Sequence, residues 1–165
     1  ASGRVDQATA ERAAFDRAAA LIPPGAVLSL TPMAALVELA RTFMDGELEY
    51  RRGHMDQAFT LLRTAVQRDD GLRYDEPWGW MQPAAHALGA LLLEQGQVEE
   101  AEQVYRRDLE RHPENGWALV GLEECLRRAN RTDEADAVLA RFRKSWARAD
   151  VEIRASCFCR VGAGA

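Results

Sequence analysis

A chain of 165 residues is long enough for a domain with its own hydrophobic core, and its 47% hydrophobic and 28% charged residues lie near the globular average, which argues against disorder. The formal net charge of −5 argues against nucleic acid, which selects basic grooves through counterion release. No apolar run approaches the ~18–20 residues of a membrane span. The N-terminus lacks a signal-peptide build, and three cysteines make no disulfide framework, so a reducing, cytoplasmic setting is the expectation.

Hydrophobic periodicity predicts helices over 6–22, 32–51, 55–69, 81–95, 98–111, 115–129 and 133–148. The first ends in FDRAAALIP (15–23). Thr31-Pro32 is a plausible start for the second, and Gly53 closes it in the left-handed conformation that a helix end favours. The third runs into an insert, GLRYDEPWG (71–79). There Tyr74 and Trp78, with Trp80 just beyond, sit between Pro77 and Pro83. Aromatics in a proline-bounded loop can build a ligand pocket or staple an irregular crossing onto the core. Trp78 and Trp80 lie two residues apart, so an extended loop points them to opposite sides.

The fourth helix carries AAHALGALLL (84–93) and closes at Gly96, and the fifth carries Ala101, Val104 and Tyr105 before Pro113. Asn115 is a plausible start for the sixth, where Leu119, Leu122 and Leu126 form one stripe with Cys125 on the buried side. Asn130 stands where a left-handed residue is needed, and Thr132 is a plausible start for the seventh. That helix presents Phe142 and Trp146 on one face, with the tail expected to fold across it as a cap.

The chain repeats itself. An offset of 34 residues pairs Leu88 with Leu122, Leu92 with Leu126, Ala101 with Ala135 and Val104 with Val138. Upstream, an offset of 43 pairs Gly46 with Gly89, Gly53 with Gly96 and Ala58 with Ala101, the additional nine residues being the insert. Segment 87–113, with Leu88-Gly89, Gly96, Ala101, Tyr105 and Pro113, resembles a tetratricopeptide repeat. Asp108 departs from that pattern, since a small residue is usual there. Trp117 and Gly121 imitate the aromatic-to-glycine spacing two residues early; the 34-residue register is preferred because it buries the leucine stripe.

The resemblance implies an all-α, antiparallel helix-pair solenoid. It has a partial unit at 6–23, repeats at 32–70, 82–115 and 116–149, the insert at 71–79, and a capping tail at 150–165. The missing partner of the first helix makes the chain look like the C-terminal part of a longer solenoid. From YDEPWGW (74–80) onward it also resembles large bacterial repeat proteins with similar C-terminal ends.

Catalysis finds little footing. His54, His86 and His112 include no pair three or four residues apart, and no serine or cysteine sits in a nucleophile motif. No cofactor is implied. The Cys-Phe-Cys of the tail is the one unusual chemical feature: Cys157 and Cys159 could ligate a soft metal or form a redox pair, or they could merely flank a packing Phe158. A metal-handling or redox accessory domain is therefore the alternative to a scaffold.

The resemblance implies that first helices line a groove for a protein or peptide segment. Its positions fall on Phe43, Glu47, Tyr50 and Arg51, then on His86, Ala90, Leu93 and Glu94, then on Val120, Glu124, Arg127 and Arg128. The arginines favour a partner with acidic groups, while Glu47 and Glu124 could pair with them when the groove is empty. Self-association is a further expectation.

Overall fold

The computed structural model describes residues 3–160. The described residues are all-α apart from one short hairpin. In order the chain runs α1 (Val5–Ala19), β1 (Val27–Leu28), β2 (Thr31–Pro32), α2 (Met33–Arg52), α3 (Met55–Asp70), α4 (Ala84–Glu94), α5 (Val98–Arg111), α6 (Gly116–Arg128) and α7 (Thr132–Ser145). Among the described residues, no helix is long and apolar enough to cross a membrane. The chain divides into two compact units, residues 3–84 and 85–160.

The helix ends follow from three residues. Gly53 (φ 87°), Gly96 (φ 74°) and Asn130 (φ 58°) all adopt the left-handed conformation. In each case the next N–H reaches back to the carbonyl five residues earlier: His54 to Glu49, Gln97 to Leu92 and Arg131 to Leu126. These closures satisfy carbonyls that a helix end otherwise leaves without partners. At the other end of α6, the Asn115 side chain accepts from the N–H groups of Trp117 and Ala118. Thr132 is the first residue of α7 rather than its cap, and Thr31 lies in β2 rather than capping α2.

In the N-terminal unit, α1 and α3 both pack on α2. Leu39, Ala58, Leu62 and Ala65 are fully buried there. Asp75 ties the insert to the hairpin: its carboxylate accepts from Ser29 Oγ (2.7 Å), Leu30 N (3.1 Å) and Thr31 Oγ1 (3.3 Å). In the C-terminal unit α5 packs on α6 and α6 on α7, with Ala101, Tyr105, Leu119, Leu122, Leu126 and Ala135 in the interior.

Candidate functional site

The C-terminal unit places the helices that begin its pairs, α4 and α6, on either side of one ring. Tyr105 of α5 is fully buried between them. A Cβ on Gly89 would stand 2.4 Å from its ring, and one on Gly121 would stand 2.2 Å from it. Both walls of this slot therefore require glycine, since carbon atoms in contact sit about 3.5–4.0 Å apart. The slot delivers the Tyr105 hydroxyl to the face formed by α4 and α6.

The chain's own tail lies on that face. Ile153, Ala155, Ser156 and Cys157 are buried. Ser156 Oγ donates to the His86 carbonyl (3.1 Å), so the hydroxyl that meets it from Tyr105 acts as donor to Ser156. Burial pushes the Tyr105 phenol upward and keeps it a neutral donor. Farther along, Arg160 Nη1 donates to Glu124 Oε2 (2.6 Å), and Arg128 Nη2 donates to the other oxygen (2.6 Å). Burial works to raise the Glu124 carboxyl, but the two arginines outweigh it and hold it below the ordinary carboxylate range. Phe158 meets Trp117 edge-on at 5.2 Å, and Trp117 meets Trp146 in the same way at 6.0 Å. Phe158 thus packs on α6.

Beneath the tail lies a polar interior cluster. Asp108 is buried and bridges His86 Nε2 (3.0 Å) and His112 Nδ1 (2.8 Å). Burial acts to raise this carboxyl, yet His86 and His112 together hold it below its usual range. As a carboxylate it only accepts, so both imidazoles present an N–H to it. The cluster explains the departure from the repeat pattern: the aspartate fastens α5 to α4 through His86.

The sequence-predicted positions are distributed unevenly. His86, Ala90 and Leu93 are each no more than 2% exposed with the tail in place. His86 gives its carbonyl to Ser156. Glu124 is brought to the tail. Arg128 donates to the Leu93 carbonyl (2.8 Å) as well as to Glu124, and Arg127 pairs with Glu123 and Asp136, so both guanidiniums are engaged with this chain's own acceptors.

In the N-terminal unit Tyr50 is buried edge-on to Phe59 at 5.9 Å, and Arg51 stacks over the Tyr50 ring at 4.9 Å. Burial raises the Glu47 carboxyl, with Arg51 opposing. Phe43 meets Trp80 edge-on at 6.2 Å, and both pack on Leu39, Ala65 and Ala84. Trp78 is 44% exposed and Tyr74, which donates its hydroxyl to Glu76, is 70% exposed. The insert therefore turns one tryptophan inward and leaves two aromatics outward.

Cys157 and Cys159 are joined to each other in a disulfide, the oxidised form of the redox pair that the sequence allows. Cys125 is buried, and burial pushes its thiol up to about 12. Tyr105, Asp108, Ser156 and Arg160 were not singled out as site residues from sequence. The one available signal was Asp108, a charge where the repeat pattern wants a small side chain.

Residues 92–145 match the model of a family described as a tetratricopeptide repeat. The matched span covers α5, α6 and α7, so the chain contains tetratricopeptide-repeat sequence within the unit just described. No curated protein matches the chain.

Proposed function

We propose that the chain is a non-enzymatic interaction scaffold that holds an extended protein or peptide segment on the first-helix face of its repeats. The supporting observation is the tail itself. An irregular stretch, residues 153–160, is held on the α4–α6 face by hydroxyl, carbonyl, carboxylate and aromatic contacts at once. A surface that accommodates one non-helical segment in this way has the shape and the donors and acceptors to accommodate another. Repeats of this kind generally mediate protein–protein contacts, and stacked helix pairs offer extended surfaces for them.

The test is face-specific photo-cross-linking in cells. A photoreactive residue is placed at Arg51 or Arg128 on first helices, and at Arg63 or Arg106 on second helices. A partner adduct from the first pair, identified and reconstituted as a purified complex of defined stoichiometry, supports the reading. Adducts confined to Arg63 and Arg106 would sink it.

A further inference from the structure

We infer that the α4–α6 face selects a partner segment with a defined side-chain order, and that the tail is a resident stand-in for it. The order reads, from the N-terminal side, an apolar residue, a small residue two positions on, a serine or threonine next, another small residue, an aromatic, and an arginine or lysine two positions later. This inference rests on the scaffold reading above and adds the chemistry of the partner.

Each position has a physical reason in the folded chain. Ile153, Ala155 and Cys157 are at most 7% exposed, so these positions admit an aliphatic and two small side chains. The residue between the small ones must carry a hydroxyl. It faces one donor, the Tyr105 phenol, and one acceptor, the His86 carbonyl, and only a group that both accepts and donates satisfies the two. An apolar side chain there would leave the buried phenol without its acceptor, and a carboxylate would confront the carbonyl with no proton to give. The aromatic position is set by Trp117, whose edge-on contact leaves Phe158 59% exposed, so it takes rings of varied size.

The basic position is set by Glu124. Its carboxylate is half-buried and already carries one guanidinium, that of Arg128 on the same helix. A second cation completes its hydrogen bonding; an acidic residue there would meet a partly desolvated like charge. Arg127 and Arg128 do not offset this, because Glu123, Asp136, Glu124 and the Leu93 carbonyl hold them. The segment selected at this end is therefore basic rather than acidic.

A tail attached to the same unit competes at an effective concentration of order millimolar, so a weak free ligand would not displace it readily. The experiment uses the full chain with the tail dislodged by Ala155→Arg, a change on the tail that leaves the face unaltered. The probe is a fluorescein-labelled peptide of the 151–160 sequence with alanine at both cysteine positions, followed by fluorescence anisotropy. We expect it to bind the variant about tenfold or more tighter than wild type, a difference of about 1.4 kcal/mol or more. Valine at the Ser156 position, or glutamate at the Arg160 position, should each remove that binding. The glutamate peptide should regain it on a chain carrying Glu124→Lys in addition.

If Ala155→Arg does not fold, Arg160→Glu in the full chain dislodges the same segment. Equal affinity of wild type and variant, or indifference to the serine and arginine positions, overturns the inference. Light scattering that shows wild-type dimers exchanging tails, with no peptide binding to either chain, assigns the face to a second copy and overturns it too. Failure of the peptide together with first-helix cross-links would reject this partner chemistry and leave the scaffold reading standing.

Discussion

Replacing Gly121 by alanine should destabilise the C-terminal unit, although alanine is the better helix former. In a helix interior the exchange is worth about 1 kcal/mol in favour of alanine. Here the new methyl would stand 2.2 Å from Tyr105 Cζ and 2.5 and 2.6 Å from the two Cε atoms. The ring cannot withdraw, because the opposite wall at Gly89 is as close. Relief requires α4 and α6 to separate or the ring to leave its rotamer, and overpacking of this kind costs about 1–3 kcal/mol. Both walls are rigid and the ring is fully buried, so the upper end applies and the net loss is about 2 kcal/mol. Urea unfolding followed by far-UV circular dichroism measures it. The same displacement pulls the phenol from Ser156, so trypsin should cut after Arg160 sooner than in wild type. Pairing Gly121→Ala with Tyr105→Leu should recover part of the loss as a coupling energy. A Gly121→Ala chain as stable as wild type, with an unchanged digestion rate, would refute the slot.

Ala135 is fully buried in α7, and Ala135→Glu places a carboxylate in that interior at a cost of several kcal/mol, read as loss of cooperative unfolding. Trp80→Ala should cost about 2 kcal/mol, because the ring packs on Phe43, Leu39 and Ala65, whereas Trp78→Ala should stay within about 0.5 kcal/mol; parallel melting curves compare them. Asp108 has a lowered pKa in the folded chain, so its contribution is present above the ordinary aspartate value of 3.8 and is lost as pH falls through and below it. Urea midpoints taken from about pH 7 to pH 3 should therefore drop more steeply for wild type than for Asp108→Asn.

The fold was largely readable because its signals are local. Gly53, Gly96 and Asn130 mark helix ends by a conformation few other residues adopt, and the leucine stripe of α6 marks its buried side. The hairpin at 27–32 was not readable. Its two-residue strands are tied by hydrogen bonds donated to Asp75, far along the chain, and no periodicity announces such a tie. Within the site, Glu124 was recognisable as facing outward from α6. The slot was not, since Tyr105 reads as one more interior aromatic and its hydroxyl has no sequence signature. His86, Ala90 and Leu93 are covered in the folded chain, where the tail lies on the face formed by their helix.

The expectation of an acidic partner rested on Arg127 and Arg128 as donors, and the expectation that Glu124 pairs with an arginine stands beside it. Each of these two arginines bonds a carboxylate four residues earlier on α6, and Arg128 also reaches the Leu93 carbonyl on α4. What such pairing leaves for an incoming segment is the second oxygen of Glu124, and the tail fills it with Arg160. On the inference drawn above, a partner brings its own cation and hydroxyl and outcompetes a segment tethered to the same unit. Affinity at this face is then set by the difference between two similar sets of contacts, so small changes in the tail should tune it more than changes in the helices beneath.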